Sequence, residues 1–186
     1  MAAPWSTDKE LDPDAQPHHP AVMDSLAIRP ATVEDAAACA AIYRPHVTDG
    51  WVSFELDPPD EAEMARRIAD CGNSHAWLIA QCDGQVVGYA YGSAHRTRAA
   101  YASSCDVAIY VAAGQTGMGI GRALYGALLP MLKTKGFHAA FAGIALPNPA
   151  SIAVHEAAGF KPVGVYREVG WKMGAWRDVG WWQRVL

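Results

Sequence analysis

Ile109-Tyr110-Val111-Ala112-Ala113-Gly114-Gln115-Thr116-Gly117-Met118-Gly119-Ile120-Gly121-Arg122-Ala123-Leu124 joins the end of an apolar strand pattern to the start of a helical one through a glycine run. Before it, Val107, Ile109 and Val111 alternate with Asp106, Ala108 and Tyr110, so a strand over 103–112 shows the two sets on opposite faces. After it, Ile120, Leu124, Ala127, Leu128 and Met131 recur at helical spacing up to Gly136, with Pro130 placed to kink the helix late. Glycines lacking a β-carbon let the backbone approach a ligand closely, and free N–H groups at a helix start point toward an anion. A strand–glycine–helix unit of this kind predicts a phosphate cradle at 116–122.

The spacing separates the kinds of phosphate loop. A Walker-type loop needs Lys and then Ser or Thr after its last glycine, whereas Gly121 is followed by Arg122-Ala123. A dinucleotide fingerprint needs a third glycine where Arg122 stands, and an acid about twenty residues onward. No Asp or Glu occurs from Val107 through His155. A turn whose glycines only permit tight packing is the remaining alternative. The missing carboxylates, with Arg122, Lys133 and Lys135 as the strong charges of the segment, favour a polyanionic ligand such as coenzyme A.

The rest of the chain alternates helices with strands. Thr32 is placed to cap a helix ending near Arg44 before Pro45. A second helix fits 60–71 with Gly72 as its cap. Two strands, 77–82 and 86–93, flank the hairpin signal Asp83-Gly84. A buried strand at 139–146, a helix at 150–158 and strands at 162–169 and 177–186 follow. This pattern predicts an α/β or α+β domain on one twisted, mixed sheet, over residues 25–186. Residues 1–24, with Pro4, Pro13, Pro17 and Pro20, read as a disordered tail without the layout of a secretory signal.

Composition narrows the classes. The 186 residues are 51% hydrophobic and 18% charged, with net charge −4, which gives no electrostatic case for nucleic acid. No uninterrupted apolar stretch suits a bilayer. Cys39, Cys71, Cys82 and Cys105 form no CxxC pair and no metal-like spacing with histidine, so they read as reduced thiols of a cytoplasmic protein with no metal.

Taken together, Ile109-Tyr110-Val111-Ala112, the glycine run and Ala123-Leu124 resemble the cofactor motif of the GNAT superfamily of acetyl-coenzyme-A-dependent N-acetyltransferases. Val52-Ser53-Phe54-Glu55, Arg96-Thr97-Arg98-Ala99-Ala100-Tyr101, Leu146-Pro147-Asn148-Pro149, His155-Glu156-Ala157-Ala158-Gly159-Phe160 and Asp178-Val179-Gly180-Trp181-Trp182-Gln183 resemble its phosphinothricin (methionine sulfoximine) acetyltransferase branch. The likeness runs from about Ile28 to the end.

The resemblance implies a GNAT-like, mostly antiparallel central sheet flanked by helices, and a homodimer. It implies that Ile109, Tyr110 and Val111 meet the pantetheine arm like an added strand. Thr116, Gly117, Met118, Gly119, Ile120, Gly121 and Arg122 would hold the diphosphate, and Asn148 and Ser151 the far end of the arm. Thr116 stands where the family usually has Arg or Gln.

Asp106 takes the place of a Glu thought to act as base, which a water relay tolerates. His155 lies where many members have a Tyr near the thioester sulfur, and histidine titrates near neutrality. Arg96, Arg98 and Tyr101 suit the carboxylate and second polar group of a phosphinothricin-like amino acid, with Phe54 as a wall. Trp171, Trp176, Trp181 and Trp182 fit a wall, a core or a dimer contact. Cys105 beside Asp106 raises a covalent acyl-enzyme, which strand alternation opposes by turning the two side chains apart. His46, His75, His95 and His138 read as structural. The expected activity is acetyl transfer to the α-amine of a small amino acid. Another amine, a protein N-terminus, and an acyl-coenzyme-A sensor without turnover are the alternatives.

Overall fold

Alternation along the chain is realised as a seven-stranded sheet in a computed structural model that describes residues 25–186; the expected tail lies outside the described residues. The strands are β1 (Leu26–Pro30), β2 (Trp77–Cys82), β3 (Gln85–Ala94), β4 (Ser104–Val111), β5 (Ala139–Ala145), β6 (Lys161–Lys172) and β7 (Ala175–Val185). The helices are α1 (Ala36–Thr48), α2 (Glu61–Ser74), α3 (Ile120–Thr134) and α4 (Pro149–Ala157). The sheet order is β1-β2-β3-β4-β5-β7-β6. Every neighbouring pair is antiparallel except β4 and β5, whose parallel pairing needs the crossover that α3 supplies.

Strand alternation sorts the core onto the two faces of this sheet. Cys105 and Val107 of β4 pack with Leu78, Ala80, Leu124, Leu128 and Leu132 under α3. Ile79, Trp77 and Tyr89 face the other way, onto Cys39, Tyr43, Met64 and Ile68 of α1 and α2, and Tyr110 joins them. The opposite orientation of Cys105 and Asp106 read from the sequence is therefore present.

Three local readings change. The first helix does not stop at Arg44 but runs through Pro45 to Thr48, closed by Asp49 N–H on the Pro45 carbonyl at 2.9 Å. Proline costs most in a helix interior; here it sits in the last turn, and burying Val47 holds that turn on the core. Gly72 is not a cap, because α2 continues to Ser74 with His75 as its C-cap. The last two strands form one long hairpin around Met173-Gly174, where the expected strands left a gap at 170–176. Both turn residues have positive φ, 53° and 70°, like Asp83 and Gly84 at 47° and 81°. The β2–β3 turn is legible because Asp-Gly favours that geometry, while Met-Gly carries a weaker signal.

Candidate active site

β4 and β5 pair only at Ser104–Ala139, Cys105–Ala140 and Asp106–Phe141. Beyond Asp106 the strands part, leaving the β5-facing edge of Val107–Val111 without a ladder partner among the described residues. An exposed edge of that kind accepts an added strand. Val107, Ala108, Ile109 and Tyr110 face Gly143, Ile144 and Ala145 across the opening, and Asn148, Ser151 and His155 close it below.

The opening leads to a cavity of about 560 Å³. Its lining includes Ile109, Tyr110, Val111, Thr116, Gly117, Gly119, Ile120, Gly121, Arg122, Asn148 and Ser151, as well as His46, Val52 and Gln115. No carboxylate of the described residues lines it. Gly117 and Gly119 sit at φ 80° and 79°, the left-handed region that a side chain disfavours. Among the described residues no side chain caps the start of α3, and its first helical bond runs from Ala123 N–H to the Gly119 carbonyl at 3.0 Å. The preceding amides are thus left for a ligand.

Gly121 has a different reason to be glycine. An added β-carbon would lie 2.9 Å from Val154 Cγ2 and 3.3 Å from Ile109 Cδ1, so it permits α3 and α4 to touch. Met118, expected with the diphosphate group, packs its side chain on the core under α3 and leaves only its backbone to the cradle. The geometry, the charge and the free amides together fit the coenzyme A diphosphate and arm.

Asn148 Oδ1 accepts from Ser151 N–H at 3.0 Å and so caps α4, with Pro149 at its first turn. His155, on the next turn of α4, is buried at 3% exposure. Its Nδ1 lies 2.7 Å from the Ser151 carbonyl and its Nε2 2.7 Å from the Tyr125 hydroxyl. A carbonyl only accepts, so Nδ1 donates and Nε2 accepts from Tyr125. Burial pushes the imidazole below its ordinary value, which keeps it neutral. The ring expected to trade protons with substrate has both nitrogens engaged within the protein.

Asp106 sits at the last position where β4 pairs with β5. Burial pushes its carboxyl above the usual range, opposed by a hydrogen bond from His95. Asp106 Oδ1 and His95 Nδ1 are 2.6 Å apart. His95, read as structural from the sequence, follows the end of β3 and stacks on Phe141 at 4.2 Å between ring centroids. Only the pairing of Ser93 with Asp106 reveals this proximity, and no local pattern gives that register. Cys105 points into the opposite core, where burial pushes its thiol up to about 12. A nucleophilic thiolate is therefore disfavoured.

The expected acceptor residues surround this pair unevenly. Arg96 donates to the His95 carbonyl at 2.8 Å and lies 5.8 Å over the Trp181 ring. Tyr101 meets His95 edge-on at 5.9 Å. Arg98 is exposed and begins the short helical turn Ala99–Tyr101. Phe54 packs directly on the Gly170 backbone, and Lys172 donates to the Glu55 carbonyl, so the loop after α1 rests on the β6–β7 hairpin. Trp182 is core, whereas Trp171 and Trp176 are 57% and 58% exposed and meet each other edge-on.

Residues 28–181 match the acetyltransferase (GNAT) domain. The chain is 36% identical over 159 residues to a phosphinothricin N-acetyltransferase of Streptomyces viridochromogenes, covering 86% of this chain and 87% of that one. It is 32% identical to an L-methionine sulfoximine/L-methionine sulfone acetyltransferase of Pseudomonas paraeruginosa, covering 86% and 94%. Among solved structures it is similar to a GNAT superfamily phosphinothricin acetyltransferase from Sinorhizobium meliloti in complex with AcCoA. That match has a TM-score of 0.83 and 38% identity, over 87% of this chain and 89% of that one. The chain belongs to the acetyltransferase (GNAT) family and, as a member of it, is an acetyl-coenzyme-A-dependent acetyltransferase.

Proposed function

We propose that the protein moves acetyl from acetyl-coenzyme A to the α-amine of a small amino-acid-like substrate such as phosphinothricin or methionine sulfoximine. The observation that carries this reading is the parting of β4 from β5 immediately after Asp106. An arm laid along the free edge of Val107–Val111 brings its thioester end toward Asp106, on the side where Arg96, Tyr101 and Trp181 gather. The neutral amine attacks the thioester carbonyl directly; the N–C bond forms, the C–S bond breaks, and sulfur leaves as thiolate.

Arg96 and Arg98 supply guanidinium groups for the substrate carboxylate and phosphinate or sulfoximine. The indole N–H groups of Trp51 and Trp181 are buried without a partner among the described residues, which suits acceptors brought by a ligand. Gly117 to Arg122 hold the diphosphate, Asn148 and Ser151 the far end of the arm, and His155 braces the first turn of α4 that carries them. The named activities of the two relatives support the substrate class. Exposed Val163, Val165, Tyr166, Val169, Trp171 and Trp176 along the β6–β7 hairpin support a homodimer, acting in the cytoplasm with its four unbridged cysteines reduced.

Thiol release from acetyl-coenzyme A, followed against phosphinothricin, methionine sulfoximine, ordinary amino acids, polyamines and an N-terminal peptide, tests the reading. Release is expected to be fastest with the first two. Tight cofactor binding without release for any amine would leave an acyl-coenzyme-A sensor instead.

A further inference from the structure

The pair His95–Asp106 has a chemical asymmetry that a lone carboxylate base lacks. Asp106 as carboxylate only accepts, so the proton of the 2.6 Å bond belongs to His95 Nδ1 and the lone pair to Nε2. Nε2 has no hydrogen-bond partner among the described residues. The ring is fixed by Phe141 stacked at 14° and by the edges of Trp181 at 6.1 Å and Tyr101 at 5.9 Å. The His95 side chain is 10% exposed. Its charged or titratable neighbours are Asp106 of β4, Arg96 beside it in the chain, and Tyr101 of the short turn. Phe141 of β5 and Trp181 of β7 are neutral.

We infer that His95 is a catalytic residue that takes the acceptor ammonium's proton on Nε2, with Asp106 as the positioning residue that fixes its tautomer. The inference rests on the acetyl-transfer reading above. The protons balance in two steps. The substrate ammonium gives one to Nε2, forming imidazolium beside the Asp106 carboxylate, and His95 later returns it to solvent. The neutral amine then forms the N–C bond, and its second proton ends on the thiolate that leaves, giving amide and thiol. A general base works best when its pKa lies near the operating pH, and histidine as a residue type lies closer to it than a carboxyl group.

Three variants and one spectrum test this. His95→Phe keeps the stack on Phe141 but has no nitrogen; His95→Gln keeps a donor for Asp106 but no base. Each is expected to lower kcat about 100- to 1,000-fold, to leave the KM for acetyl-coenzyme A unchanged, and to erase the acid limb of the kcat–pH profile. Asp106→Asn is expected to lower kcat about 10- to 100-fold and keep that limb, because the imidazole remains. A nitrogen-15 spectrum of wild type at pH 8 is expected to show His95 protonated on Nδ1 and bare on Nε2.

An Nε2–H tautomer would overturn the inference. So would His95→Gln with rate and acid limb intact, or loss of the limb in Asp106→Asn alone, which would make the carboxylate itself the base. A wild-type protein that releases no thiol with any amine would overturn the acetyl-transfer reading instead, and the tautomer spectrum needs no turnover.

Discussion

His155 lines the opening between β4 and β5, His95 bonds to Asp106 where those strands part, and their hydrogen bonds divide them. His155 gives its Nδ1 proton to the Ser151 carbonyl and accepts from the Tyr125 hydroxyl, so its ring is saturated. His95 spends one nitrogen on Asp106 and leaves the other without a partner among the described residues. The first ring ties α4 to α3, since Tyr125 belongs to α3, and it bonds Ser151, which lines the cavity of about 560 Å³ with Asn148. The second ring follows the end of β3 and bonds Asp106 of β4. Position in a motif pointed to His155 as the chemical group, whereas the count of free lone pairs points to His95. Burial alone does not separate the two, because both side chains are largely covered.

The largest expected effect comes from forcing the α3–α4 side apart. Gly121→Leu places a side chain where even a β-carbon meets Val154 Cγ2 at 2.9 Å. Overpacking of this kind costs about 3 kcal/mol at the upper end of its range. Urea unfolding is expected to show that loss, and acetyl-coenzyme A is expected to lose its stabilising thermal shift, because the cradle and α4 no longer meet. The tautomer of His95 stays as in wild type. A full thermal shift in Gly121→Leu would mean that the cradle does not depend on this contact, and a changed His95 spectrum would mean that the two sides are coupled.

How much of this was legible in the sequence depends on the range of the interaction involved. The glycine turn before α3, the alternation in β4 and the helical spacing after Ile120 are local, and the structure contains them. The β6–β7 hairpin was seen only in part, because Met173 occupies a positive-φ turn position without the usual residue type. β1 was not read at all; a five-residue edge strand gets its identity from pairing with β2, not from its own pattern. The motif singles out Asp106 but not its hydrogen-bond partner. His95 reaches it only through the register of β3 on β4, which the local sequence does not encode. The motif before β4 singles out Arg96 and Tyr101, and only the fold shows their contacts with His95.

A smaller effect isolates the saturated ring. Tyr125→Phe removes the donor to His155 Nε2 and leaves a buried acceptor without a partner, while the phenyl ring still fills the space beside Phe160. The cost is about 1–2 kcal/mol, the penalty for one buried unsatisfied group. Unfolding free energy is expected to fall by that amount with kcat near the wild-type value, since Tyr125 does not itself line the cavity and its ring stays in place. A fall in kcat of about 100-fold with stability intact would return His155 to the chemistry and erase the contrast between the two sides.

The smallest effect is a pH dependence of stability, and its sign follows from burial. His155, His46 and His75 are each pushed below 6.5 by desolvation of the charged form. In the unfolded chain the same residues titrate at the ordinary value, so between the two values the unfolded state binds more protons. Their contribution is therefore complete above pH 6.5 and is lost as pH falls below it. Asp106, pushed upward by burial, has the opposite sign and acts in the window just above the ordinary carboxyl value, where protonation favours the folded state. Melting temperature measured between pH 7.5 and 5.5 is expected to decline on the acid side through the histidines. His155→Phe, which packs a neutral ring in the same place, is expected to reduce that decline and leave the shares of His46 and His75. An undiminished decline would show that the His155 ring is not held neutral between Ser151 and Tyr125.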